Sequence, residues 1–193
     1  MRSEQTGDPL SGARKNYRIA LLGAESSGKT TLATDLTAAL RDRGYNAGMV
    51  PEYLRTWCEE NSRLPEFDDQ DFILHGQLAC EESAATQFDV LICDPAAITT
   101  GFYSLEYFES DLHLDRGLLD RYDQIFLCDI DFPWQPDPLR DSEATREHMH
   151  SLIVTYLTQT HEIADGRIPL LSQSRQQRLA RALSLLSLPE LSL

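Results

Sequence analysis

The stretch GAESSGKTTL, residues 23–32, concentrates residue types that handle phosphate. Gly23, Gly28, Lys29 and Thr30 hold the fixed positions of G-x-x-x-x-G-K-[ST], the phosphate-binding loop. The glycines let the backbone curl, so that successive N–H groups along Ala24, Glu25, Ser26 and Ser27 point inward at phosphate oxygens. Lys29 then suits neutralising the β- and γ-phosphates of a nucleotide, and the Thr30 hydroxyl suits Mg²⁺. From Thr30 and Thr31 onward the chain opens a helix, whose N-terminus adds partial positive charge.

Such a loop needs a strand before it and a helix after it, and both are legible. Tyr17, Ile19 and Leu21 alternate with Arg18 and Ala20, and Leu22 closes a run that reads as a buried strand. Leu32, Leu36 and Leu40 recur every four residues, the spacing of one helical face. A second strand is expected at Ala47–Val50, a helix over 69–85, and apolar strands over 88–94 and 122–131. Met149, Leu152, Ile153, Tyr156 and Leu157 mark a further helix, GRIPLLS a fifth strand, and Leu179 to Leu186 a last helix that Pro189 ends. Alternating strands and helices predict an α/β domain: a doubly wound, mostly parallel five-stranded sheet with helices on both faces, over residues 17–193. Residues 1–16 are polar and turn-rich and are expected to form a flexible tail.

Ligands gather beyond the carboxyl ends of the strands in such a sheet. That rule selects Glu52 and Arg55 in PEYLR, about one helical turn apart. Glu52 suits a proton acceptor for an attacking hydroxyl, and equally an acid stabilising a helix start. Asp94 ends the third strand, where a carboxylate supports Mg²⁺; a helix cap before Pro95 is the competing reading. WQPDPLRDSEATREH places Arg140 and Arg146 in a polar segment suited to a lid, Arg140 being the one expected over the transferring group. Trp134 is an aromatic plate for a flat ring, or the anchor of the lid's base. Arg175 and Arg178 lie against the adenine or its phosphates, or on a polar helix face.

Composition narrows the function class. With 17 basic and 31 acidic residues the net charge is −14, which argues against nucleic-acid binding. No run reaches membrane-spanning length, and no signal-peptide pattern opens the chain. Cys58, Cys80, Cys93 and Cys128 lack metal-ligand spacing and read as reduced thiols, so a cytoplasmic location is the expectation. Self-association into a homo-oligomer is left open.

The order GAESSGKTTL, PEYLR, LICDPAAITTGFY, CDIDFPWQPDPLRDS resembles the ribosylnicotinamide kinase domain of NadR-type NAD-biosynthesis proteins. That resemblance covers nearly the whole chain from Tyr17. It implies phosphorylation of the ribose 5′-hydroxyl of nicotinamide riboside, a small-molecule nucleoside, with ATP and Mg²⁺ as cofactors. It also implies that Gly23 to Thr31 bind ATP, that Glu52 and Asp94 serve the hydroxyl and the metal, and that Trp134 packs on the nicotinamide ring. Arg140 would reach the phosphates, and the pocket around Tyr53 and Trp134 would select the acceptor. Where the family tends to carry a second acid two residues beyond Asp94, this chain has Ala96. The family's adenylyltransferase motif H-x-G-H and a preceding helix-turn-helix are missing, so neither dinucleotide synthesis nor DNA repression is expected. The rivals are a regulatory ATP-binding switch and a kinase for another small hydroxyl substrate.

Overall fold

The computed structural model describes residues 16–134, 142–160, 162–163 and 165–188. Residues 1–15 of the expected tail and Arg140 lie outside them, and Asn16, the last tail residue, donates to Ala85 O at 2.9 Å. Five strands form one sheet in the order β2-β3-β1-β4-β5, where β1 is Tyr17–Leu22, β2 Ala47–Val50, β3 Val90–Cys93, β4 Gln124–Cys128 and β5 Leu170–Leu171. Every pairing is parallel. The apolar runs IALL, VLIC and IFLC fit this, because a parallel strand covered on both faces needs apolar side chains on both.

Helices cover each face. α1 (Lys29–Asp42) and α6 (Arg175–Leu185) pack on one side, where Leu32, Leu36 and Leu40 meet Ile19, Leu21, Ile92 and Phe126. Burying each such leucine stabilises the fold by about 1.5–3 kcal/mol. α3 (Gln70–Ala85), α4 (Thr99–Phe108) and α5 (Glu143–Gln159) pack on the other, around Leu22, Leu91, Phe102 and Ile153. α2 (Tyr53–Asn61) leans on α3. Gly76 permits that contact: a Cβ there would lie 2.1 Å from Tyr53 Cε1, so the tyrosine ring lies flat against the helix.

The strands are shorter than their apolar runs suggest. β4 stops at Cys128, although Asp129 N still donates to Leu171 O at 2.9 Å. β5 keeps only two residues of its run. α4 escaped the sequence reading because Thr99, Thr100, Gly101, Phe102 and Ser104 are all buried, which erases a single-faced period. Pro95 does not open a helix: Asp94 and Pro95 share a cis peptide bond, and α4 begins at Thr99. Asp94 as a cap before a first-position proline is therefore corrected. Parallel pairing brings the carboxyl ends of β1 to β4 to one edge of the sheet, with Val50 opposite Cys93 and Leu22 opposite Leu127.

Candidate active site

The loop between β1 and α1 has the curl its glycines predict. Gly28 takes the left-handed conformation at φ 83°, and a Cβ there would approach Phe132 Cε2 to 2.8 Å. Both facts demand glycine. Ser27 Oγ donates to Ala24 O at 2.8 Å, closing the loop on itself. The ammonium of Lys29 folds back over the loop, donating to Gly23 O at 2.8 Å and Ala24 O at 2.7 Å. A cavity of about 320 Å³ opens above this loop. Its walls include residues 25–31, Glu52, Tyr103, Phe132, Arg175 and Arg178.

A second cavity of about 480 Å³ adjoins it. Leu54, Leu64, Pro65, Tyr107 and Phe108 give it apolar walls, and Gln70 contributes an amide. Glu25, Glu52, Arg55 and Tyr103 line both cavities. One chamber is thus polar and loop-bound, the other apolar and aromatic, with a polar collar between them.

Glu52 stands at that collar. It is the residue before α2, and its Oε2 accepts from Arg55 Nε at 3.0 Å. Burial pushes its carboxyl above the usual glutamate range, and nearby Asp94 pushes the same way, against Lys29 and Arg55. Asp94 is buried at the end of β3, and its own N–H donates to Val50 O at 3.0 Å. Gln77, buried on α3, accepts from Tyr53 N at 2.8 Å, and its amide nitrogen lies 3.5 Å from Pro51 O and 3.4 Å from Pro95 O. One amide therefore spans the two segments that carry Glu52 and Asp94. From the far side, Tyr122 Oη accepts from Ala97 N and donates to the buried Glu81, both at 2.8 Å.

Tyr103 is the functional wall residue that sequence reasoning missed. Its phenol is pushed well above its ordinary pKa by burial and by the charges of Glu52 and Glu25, so it stays a donor. Tyr107, one turn on, stacks beside it at 6.0 Å between centroids and 18° between planes. The tyrosines' four-residue spacing was the available signal.

The other sequence candidates take less direct places. The Tyr53 ring packs on Gly76 and lies 6.4 Å from that of Phe72, outside both cavity walls. Trp134 is half-buried and contributes to neither wall, whereas its neighbours Phe132 and Pro133 line the loop cavity. Arg175 reaches that cavity while paired bidentately with Asp35 at 2.6 Å. Arg178 is buried and heavily engaged: it donates to Ser27 O at 2.7 Å, Asp129 O at 2.9 Å and Gln173 O at 3.2 Å, and to the Asp131 carboxylate. Its guanidinium also lies 4.3 Å from the Phe132 ring centroid. Arg146 is corrected from a lid residue to a buried one on α5, where it donates to Phe132 O at 2.9 Å.

Residues 18–178 match the AAA domain family, and the chain belongs to it. Its fold is that of the P-loop nucleoside kinases. Among solved structures it is similar to a NadR protein in complex with NR, with TM-score 0.64 and 19% identity over 92% of this chain and 53% of that one. It is also similar to a deoxyadenosine kinase from M. mycoides with bound dCTP, with TM-score 0.57 and 12% identity over 86% of this chain and 97% of that one. The chain spans about half the length of the NadR chain. A comparison with curated protein sequences finds no match. Among the described residues, no helix is long and apolar enough to cross a membrane.

Proposed function

We propose that the protein is an ATP- and Mg²⁺-dependent kinase acting on the ribose 5′-hydroxyl of a nucleoside, with nicotinamide riboside the acceptor that the sequence resemblance favours. The observation that carries this reading is Glu52 lining both the phosphate-loop cavity and the aromatic cavity beside it. A nucleoside has the matching polarity: a flat ring for the aromatic chamber and a hydroxyl at the other end for the collar.

In this reading the acceptor oxygen attacks the γ-phosphorus, the bond from that phosphorus to the β,γ-bridging oxygen breaks, and the hydroxyl proton passes to Glu52. A carboxyl whose pKa lies above the usual range is a stronger base for that proton. Lys29 exchanges its two carbonyl partners for phosphate oxygens, and Arg140 adds charge from the segment after Trp134. Bound Mg²⁺ would supply positive charge that offsets the charge developing on the transferring group. Thr30 and Asp94 are the residues proposed to hold it. Their hard oxygens suit this ion, which takes one or two carboxylates plus substrate phosphates. The described residues contain no group of three or more His, Cys, Asp or Glu that forms a metal cage by itself.

The test is incubation with Mg²⁺, ATP and a nucleoside panel, followed by analysis for nucleoside monophosphates. Phosphorylated nicotinamide riboside is the expected product. ADP release at one rate whatever nucleoside is present would favour a nucleotide switch instead.

A further inference from the structure

We infer that Glu25, a residue of the phosphate loop itself, is the acceptor-sugar determinant: its carboxylate binds the vicinal hydroxyls of a ribosyl group and makes the site select ribonucleosides over deoxyribonucleosides. The inference rests on the kinase reading for the identity of the acceptor cavity, and deepens it.

The argument begins with charge. A carboxylate directed at a triphosphate would repel it, so only the backbone N–H of Glu25 suits that ligand. The side chain is directed elsewhere. Together with Tyr103, a residue of the α4 wall, it contributes to the aromatic cavity as well as to the loop cavity. An ionised carboxylate has about four acceptor positions. Glu25 borders both cavities, which puts these acceptors at the collar.

Position then selects the ligand group. In a nucleoside the sugar lies between the 5′-oxygen and the base. With the 5′-oxygen at Glu52 and the base between Leu54, Leu64 and Tyr107, the remaining sugar hydroxyls fall at the collar. Besides Glu52, already taken by the 5′-oxygen, the polar groups there are Glu25, Arg55 and Tyr103, of which only the Glu25 carboxylate is purely an acceptor. Two neighbouring hydroxyls are two donors at the spacing of carboxylate oxygens. Removing one of them leaves Glu25 with a vacant acceptor in a partly desolvated site. Hydrogen bonds to a charged group of this kind are worth about 1.5–3 kcal/mol, or roughly 10- to 150-fold in affinity.

Calorimetry with a non-hydrolysable ATP analogue and Mg²⁺ present tests this independently of turnover. Nicotinamide riboside, adenosine and cytidine are each compared with their 2′-deoxy counterparts, on the wild-type protein, Glu25→Ala and Tyr103→Phe. The expected result is at least about a tenfold preference for the ribosyl form in the wild type. The preference should collapse to within about twofold in Glu25→Ala and weaken in Tyr103→Phe, with affinity for the ATP analogue moving less than affinity for the nucleoside. Equal binding of both sugars by the wild type overturns the inference, as does a preference that survives Glu25→Ala, or no binding of any nucleoside. Ribosyl preference without phosphorylated product would end the kinase reading and leave the assignment of Glu25 standing.

Discussion

Arg178 Nη1 and Ser27 O lie 2.7 Å apart although 151 residues separate them in the chain. The same guanidinium holds Asp129 O and the Asp131 carboxylate, so a single buried cation joins the phosphate loop to the segment leaving β4. Arg178→Ala takes the donor from the Ser27, Asp129 and Gln173 carbonyl oxygens, whereas the solvent-accessible Asp131 carboxylate keeps Gln173 N. Leaving buried acceptors without their donor costs about 1–3 kcal/mol. Urea unfolding should show that loss, and ATP affinity should fall with it. Arg175→Ala removes a pair whose guanidinium is exposed to solvent and should shift the urea midpoint far less. Equal effects from both would remove Arg178 as the joint.

Lys29→Ala should abolish ADP release while leaving the unfolding midpoint nearly unchanged. The lysine's partners in the fold are the Gly23 and Ala24 carbonyl oxygens, at the rim of an open cavity that water can reach. A variant that still turns over ATP at wild-type rate would contradict the phosphate-loop assignment.

Glu52→Gln keeps the shape of the collar and removes the base. We expect kcat to fall about 10²- to 10⁴-fold with the nucleoside KM little changed. In the wild type the carboxyl is raised above the ordinary glutamate value. The acid limb of kcat/KM should therefore sit at higher pH than a free glutamate would give, and vanish in the variant. An acid limb unaltered in Glu52→Gln, with Asp94→Asn abolishing it, would transfer the role of base to Asp94.

Two aromatic candidates compete for the ring of the acceptor. Tyr107 lines the apolar cavity, whereas Trp134 lies at the base of the segment bearing Arg140. Stacking is worth about 1–3 kcal/mol per base. Tyr107→Ala should accordingly raise the nucleoside KM by about tenfold or more without a matching change for ATP. Trp134→Ala is predicted to act in the same direction; equal effects on both substrates would remove Trp134 from the acceptor site.

Acid lability has an identifiable contributor. The Arg18 guanidinium, with help from Arg121, pulls the Glu82 carboxyl from its usual 4.5 down to about 2. A folded-state value below the unfolded one gives stability that is present above about pH 4.5 and drains away as pH falls toward 2. Glu82 is more than half exposed, so solvent screening reduces its share to about 1 kcal/mol. Urea midpoints at pH 6 and pH 3 should converge between wild type and Glu82→Gln; a constant gap would place the acid sensitivity elsewhere.

The sequence disclosed whatever is written locally and missed whatever depends on distant partners. The loop at 23–30, the strand before it and the leucine face of α1 each occupy one contiguous stretch, and all three stand where the residues place them. Asp94 was found because it ends an apolar strand. Tyr103 was missed because α4 is buried on several sides and shows no stripe. Arg178 reads in sequence as a cation for the adenine or its phosphates, or for a polar helix face; its role as a joint is hidden because its partners come from residues 27, 129, 131 and 173. Gln77 and Glu81, buried polar groups on α3, sit in a segment whose apolar spacing gave no hint that they brace the strand-end loops.

That Glu25, Glu52, Arg55 and Tyr103 border both chambers has a practical consequence. A single compound carrying a polyphosphate at one end and a planar ring at the other would occupy both rooms at once, with no partition to cross. Each half would raise the effective concentration of the other, so its affinity should exceed that of either fragment by a wide margin when the tether matches the width of the passage.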